Sequence, residues 1–281
     1  MKKLDVTSLL IILILVAGLS LLLYPTVADW WNSFHQSQAI SDYADALKEL
    51  PPEDYDKLFE DAYAYNQALR ELQYPLMDYE KVPGYYEQLK FTDSGVICFV
   101  NIPKINVKLP VYHGTSEGVL QVAVGHLEGT SLPTGGESTH CVLSAHRGLP
   151  SAKLFTDLDQ MEVGDRFTLT VADRTMTYEV DQILVVLPEQ VNDLYVQEGM
   201  DLCTLITCTP YGINSHRMLV RGVRVDGDAL SGDYRVTADA VQMDTMAASV
   251  ILLIPCVMIG VAVMFAVYEI RSKGKKKGGA A

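Results

Sequence analysis

The 281-residue chain is short of positive charge over most of its length. Of its 22 Lys and Arg, seven lie at the two ends (Lys2, Lys3, Arg271, Lys273, Lys275, Lys276 and Lys277). With the terminal Asp5 and Glu269 set aside, 15 basic residues face 33 acidic ones in between, a formal charge near −18. Such a surface repels phosphate backbones and excludes DNA or RNA as partners. Cysteine is scattered: Cys98, Cys141, Cys203, Cys208 and Cys256 form no CxxC pair and no dense disulfide framework. The six histidines make no ligand-spaced cluster with them, which argues against zinc, and no carboxylate cluster suggests calcium, so no cofactor is expected. Apart from the basic tail there is no repeat or low-complexity segment.

Two long uncharged runs stand out. Thr7 to Tyr24 reads TSLLIILILVAGLSLLLY, and Met246 to Tyr268 reads MAASVILLIPCVMIGVAVMFAVY. Each is about long enough to cross a hydrocarbon core of roughly 30 Å at roughly 1.5 Å per residue. Pro255 is tolerable there because a spanning helix accepts proline more readily than a soluble one. Basic flanks stay in the cytoplasm, so both termini are expected inside and residues 30 to 245 outside. The first run could also be a signal peptide cleaved after Thr26-Val27-Ala28; its length favours a retained anchor. Trp30, Trp31 and Phe34 follow it, suited to the membrane interface.

Residues 38 to 72 read as helical. Ile40, Tyr43, Leu47 and Leu50 recur at helical spacing, Pro51 and Pro52 interrupt, and Leu58, Tyr65, Leu69 and Leu72 resume it. From Asp93 the chain becomes short apolar runs separated by turn residues: 96–102, 105–112, 138–146, 165–172, 175–188, 202–208 and 216–225. This pattern predicts a mainly β barrel or sandwich. The expected organisation is a cytoplasmic N-terminus and span (1–28), a helical segment (29–92), a β catalytic domain (93–228), a linker (229–245), a second span (246–268) and a basic tail (269–281).

Cys98, Cys141 and Cys203 sit within apolar runs, where a small buried residue is the default, and Cys256 falls in the second span. Cys208 differs. It ends a strand-like run in TLITCTPYGINSHRMLVRG (204–222), with Arg217 on the next run across a turn. A cysteine nucleophile needs a route to the thiolate, a proton donor for the leaving group and a group that stabilises the oxyanion. Arg217 keeps its charge and can raise the thiolate fraction or hold an oxyanion. His146, at the end of CVLSAH, is the candidate acid and base.

These motifs resemble the class C, pilus-building sortases of Gram-positive bacteria. The resemblance rests on TLITCTPYGINSHRMLVRG, on NIPKINVKLPVYHGTSEGVLQVAVGHLEGTSLPTGGESTHCVLSAHRGLPSAKLFTDLD (101–159) and on the two-span layout, and covers residues 38 to 268. It implies an eight-stranded sortase β-barrel and a cysteine transpeptidase, with Cys208 as nucleophile, His146 as acid and base, and Arg217 stabilising the oxyanion. It further implies cleavage of a Leu-Pro-x-Thr-Gly-like sorting signal between Thr and Gly, and transfer of the acyl group to a lysine amine of another pilin subunit. The implied partners are pilin subunits and the membrane. The alternative is a cell-wall-anchoring sortase that transfers to a peptidoglycan precursor amine. Asn214 and His216 match the family motif and are expected to orient Arg217; Thr207 and Thr209 flank the nucleophile and could donate to substrate. The internal LPTGG (132–136) resembles a sorting signal, but a true signal lies just before a C-terminal span. Class C sortases also carry a lid with an Asp-Pro-aromatic motif. Here YPLMDYEKVPGYYEQL (74–89) offers Asp78 followed directly by Tyr79. An Asp78–Arg217 ion pair and cover of Cys208 by Tyr79 are the lid expectations, with an ordinary linker as the other reading.

Overall fold

A computed structural model describes residues 6–49, 51–91 and 94–225. The chain divides at Thr26/Val27 into two compact units, the second of which contains all the β-strands among the described residues. Helix α1 runs Val6–Glu49 and passes through Pro25. The sequence placed the start of a separate helical segment at residue 29; the backbone is one continuous helix across 29–36. By length and composition α1 is apolar enough to cross a membrane. The second apolar run and Cys256 lie outside the described residues.

Helix α2, Pro52–Arg70, begins where Pro51 adopts an extended conformation and Pro52 occupies the first turn, a position that needs no N–H partner. Both helices pack on the barrel. Tyr43 is fully buried; its hydroxyl donates to the Ile97 carbonyl at 3.2 Å and accepts from the Ala172 N–H at 2.9 Å. On α2, Phe59, Tyr65 and Leu69 are buried, and Arg174 stacks over Phe59 at 3.8 Å. Burying rings of this size contributes on the order of 2 kcal/mol each. A short helix α3, Pro75–Asp78, follows.

The β domain is a closed eight-stranded barrel: β1 Val96–Ile102, β2 Val107–His113, β3 Val124–His126, β4 Thr139–Ser144, β5 Arg166–Val171, β6 Arg174–Val186, β7 Asp201–Thr209 and β8 His216–Val225, in the order β1-β2-β3-β4-β7-β8-β6-β5. Pairs β2/β3 and β4/β7 are parallel and the other six antiparallel. Eight strands leave an interior that side chains can fill. Cys98, Val100, Cys141, Leu143, Phe167, Leu169, Cys203, Leu205 and Val220 belong to that core. Burial pushes the thiols of Cys98 and Cys203 well up, so they act as neutral, small core residues.

Strand β7 is apolar on both faces because both are covered. Cys203 and Leu205 point into the barrel, while Ile206 joins Val142, Leu194 and Leu219 in a second, smaller cluster on the outer face. Leu76, Leu127, Leu184, Val186 and Val191 pack on that outer cluster. The LPTGG stretch is built into the fold. Leu132 is fully buried, its N–H donates to Asn66 Oδ1 at 2.8 Å, and Asn66 Nδ2 donates to Leu132 O and Thr134 Oγ1.

Candidate active site

Three adjacent strands bring the predicted residues to one end of the barrel. Cys208 on β7 and Arg217 on β8 are direct register partners, so their side chains lie on one face of the sheet. Strand β4 runs parallel beside β7, its last rung pairing Ser144 with Ile206. Two residues further on are Cys208, still on β7, and His146, just past the end of β4. A step of two keeps a side chain on the same face. His146 follows Val142 and Ser144 in this alternation, Cys208 follows Ile206, and Arg217 precedes Leu219. Cys208 and Arg217 therefore belong to the face that carries the outer apolar cluster of Val142, Ile206 and Leu219, and the β4 alternation leads toward the same face at His146. Cys208 is the one described cysteine that is not buried.

Two hydrogen bonds continue the β4/β7 pairing past the last rung. The Ala145 N–H donates to the Ile206 carbonyl at 3.1 Å, and Thr207 Oγ1 donates to the Ala145 carbonyl at 2.8 Å. Thr207 is buried with its hydroxyl committed. This corrects the expectation that it could donate to substrate: strand alternation turns residue 207 away from the face of Cys208, and its role is to fix the backbone before His146. Thr209 shares that parity and is also buried.

The His146 loop is anchored from several sides. The Phe155 N–H donates to the His146 carbonyl at 3.2 Å, Gly148 N–H donates to Thr156 Oγ1 at 3.1 Å, and Arg147 pairs with Asp159. His146 Nε2 is shielded from solvent and has no hydrogen-bond partner among the described residues. The Glu117 carboxylate, from the short helix α4 (Glu117–Leu120), lies 3.8 Å from it. That distance is electrostatic contact rather than a hydrogen bond. Glu117 lies within the 101–159 stretch, but nothing in the sequence singled it out.

Across the site, the Thr209–Pro210 peptide is cis, and the Ile213 and Asn214 N–H groups close a turn on the Pro210 carbonyl. Asn214 takes a positive φ of 61°, a conformation Asn tolerates better than most residues. Arg217 Nη1 donates to the carbonyls of Asn214 at 3.2 Å and His216 at 3.1 Å. These two residues thus hold the guanidinium through their backbone, while the His216 ring pairs with Ser215 Oγ at 2.9 Å. The two loops also touch: a Cβ on Gly148, whose φ is +75°, would stand 2.8 Å from the Tyr211 ring, and Arg147 lies 6.0 Å from the ring centre.

The lid expectations are corrected in part. Asp78 pairs with Lys81 at 2.9 Å, one helical turn on, and not with Arg217. Tyr79 packs on the main core with its ring edge-on to Tyr85 at 6.1 Å, away from the cluster beside Cys208. The local turn explains both: Pro75–Asp78 and Tyr79–Lys81 coil tightly, so Asp78 meets its own i+3 neighbour first. Leu76 is the side chain of this segment that reaches the outer cluster. The segment presses on the barrel at Gly129, where a Cβ would fall 2.5 Å from the Pro75 carbonyl oxygen. Its far end is pinned by buried Tyr85, whose hydroxyl meets His126 Nδ1 at 2.8 Å and accepts from the Gly114 N–H at 3.0 Å. Among the described residues, no group of three or more His, Cys, Asp or Glu could hold a metal ion.

The chain is similar to known proteins. The sortase domain family matches residues 100–225. A crystal structure of sortase C1 from Streptococcus agalactiae is 49% identical, with the match covering 68% of this chain and 100% of that one at a TM-score of 0.64. A Streptococcus pneumoniae sortase C, studied for catalysis and pilin substrate specificity, is 40% identical over 68% of this chain and 97% of its own, at a TM-score of 0.60. Sortase D of Bacillus subtilis is 30% identical over 135 residues, 47% of this chain and 64% of that protein, so the chain matches less than two thirds of this relative. The chain belongs to the sortase family, and its structural neighbours are class C sortases.

Proposed function

We propose that the protein is a membrane-anchored cysteine transpeptidase that polymerises pilin subunits. The observation that supports this is the direct pairing of Cys208 with Arg217 across β7 and β8, with His146 two residues past the last β4/β7 rung at Ser144 and Ile206. In this reading the Cys208 thiolate attacks the threonine carbonyl of a Leu-Pro-x-Thr-Gly-like signal. Arg217, held by the Asn214 and His216 carbonyls, faces the oxyanion as it develops. The C–N bond to glycine breaks, and the His146 imidazolium gives its proton to the leaving amine. The Cys208 thioester then accepts a lysine amine, which loses a proton to His146 as the isopeptide bond forms and the thiolate leaves.

The outer apolar cluster beside Cys208 offers a surface of the right character for the leucine and proline of such a signal. In the structure Leu76 and Val191 pack on it. We read Pro75–Asp78 as a cover that must shift before a peptide can lie along β7, with Leu76 rather than Tyr79 as the plug. In this reading the active domain lies outside the cell and both termini inside.

The test is an acceptor competition. Full-length protein is given a sorting-signal peptide together with a pilin domain bearing an accessible lysine and with a peptidoglycan-type amine. Linkage to the pilin lysine in preference to the other amine is the expected result. Transfer to the peptidoglycan-type amine alone would replace pilus assembly with cell-wall anchoring.

A further inference from the structure

Helix α1 has two opposed faces just beyond the first apolar run. At about 100° per residue, Asp29, Asn32 and Gln36 share one side, which continues into Ile40, Tyr43 and Leu47. That side grips the barrel. Asp29 Oδ1 accepts from the Lys153 N–H at 2.8 Å, Asn32 Nδ2 donates to the Ser151 carbonyl at 2.8 Å, and Gln36 Nε2 donates to the Val122 carbonyl at 2.7 Å. Ser151 and Lys153 belong to the loop that begins at His146 and closes on its carbonyl through Phe155.

The opposite side carries Trp30, Trp31 and Phe34, each more than half exposed at 64%, 57% and 56%. Trp30 stacks on Phe34 and Trp31 leans on His35, making one continuous aromatic surface. One turn later the same side becomes Ser37, Gln38, Ser41, Asp42 and Asp45. The aromatic patch therefore starts just after the uncharged run ends at Tyr24 and stops before the charged surface begins. Rings of this kind prefer the headgroup level of a bilayer. The acidic external domain is repelled by anionic lipid, so charge does not supply the contact.

We propose that residues 29–36 seat the catalytic domain on the bilayer interface, with the aromatic side in the headgroup region and the Asp29, Asn32 and Gln36 side holding the His146 loop toward the membrane. The consequence is selectivity for presentation: sorting signals carried by membrane-held proteins reach Cys208 more readily than the same signals free in solution. This rests on the transpeptidase reading but fails separately from it, since turnover of a free peptide tests the chemistry alone.

Trp30 and Trp31 are the only tryptophans in the chain, so intrinsic emission reports on this segment. The full-length protein is reconstituted in phosphatidylcholine–phosphatidylglycerol liposomes whose acyl chains carry bromine either near the headgroups or deep in the core. Turnover is then compared for a lipid-anchored and a free sorting-signal peptide. Shallow bromines are expected to quench more than deep ones. The anchored-to-free turnover ratio should fall at least about tenfold, on the scale of a lost effective concentration, in the D29A/N32A and W30S/F34S variants. Free-peptide turnover of W30S/F34S should stay near wild type, which also shows that this variant folds; D29A/N32A, which loosens the His146 loop, is read by the anchored-to-free ratio alone. An unchanged ratio in both variants, emission insensitive to shallow bromines, or quenching that is lost on dilution of protein in lipid, as expected if a second copy covers the patch, would overturn the proposal.

Discussion

Replacing Thr207 with valine removes a hydroxyl and leaves the shape of the side chain almost unchanged. The lost bond is the 2.8 Å one from Thr207 Oγ1 to the Ala145 carbonyl. Thr207 and Ala145 are both buried, at 1% and 3% exposure, so water cannot take the place of the hydroxyl. A buried acceptor left without its donor costs about 1–3 kcal/mol. The valine methyl recovers little, because the hydroxyl and the methyl fill the same space. The functional effect should be larger than the stability effect suggests. Ala145 is the residue before His146, and its peptide is held on one side by Ile206 and on the other by Thr207. Freeing one side lets the imidazole drift relative to Cys208, and a misplacement of about 1 Å can cost on the order of a hundredfold. We expect T207V to unfold at lower urea, with the acylation rate at saturating signal peptide down at least about tenfold and peptide affinity little changed. T207S, which keeps the donor, should recover most of the rate. Urea melts and single-turnover acylation read both quantities. A T207V protein with wild-type acylation, or a T207S protein as impaired as T207V, would refute the reasoning.

Other tests follow from neighbouring contacts. Burial holds the imidazole of His113 down at about 4, with neighbouring His126 adding to it. The unfolded chain therefore binds the proton first as pH falls below about 6.5, and stability should drop progressively between there and pH 4, by no more than about 3 kcal/mol. Thermal melts across that window check this, and a His113→Gln variant should show a flatter profile. G148A places a Cβ 2.8 Å from the Tyr211 ring at a φ of +75°. It should cost about 1–2 kcal/mol in urea melts and slow acylation through both loops. L76A should weaken the cover over the outer cluster and speed acylation by free peptide several-fold; unchanged or slower acylation would argue that Pro75–Asp78 is a linker.

Much of the barrel was legible from local pattern. Runs such as VICFVNI and HRMLVRGVRV announce strands because one face or both must be buried. Strand β3 was not visible in the same way: Val124–His126 is three residues long, and its pairing with β2 is parallel and set by the surrounding barrel. Cys208 and Arg217 could be paired on paper because a short turn joins their strands. His146 could not be placed by spacing, since β4 and β7 are far apart in sequence and become neighbours through a parallel pairing. The partners of Asp78 and the approach of Glu117 to His146 were equally out of reach. Both depend on where short helical turns aim their side chains. The continuity of α1 through residues 29–36 was hidden by composition, because that stretch serves two different surroundings on its two sides.

The central claim is that Cys208 forms an acyl enzyme with a sorting signal. The most direct measurement is intact-protein mass spectrometry of the full-length chain after a short exposure to a Leu-Pro-x-Thr-Gly-containing peptide, beside C208A and H146A. The account predicts a mass gain equal to the peptide up to threonine, mapped to Cys208, absent in C208A and strongly reduced in H146A. A gain mapped to another residue, or one that persists in C208A, would contradict it.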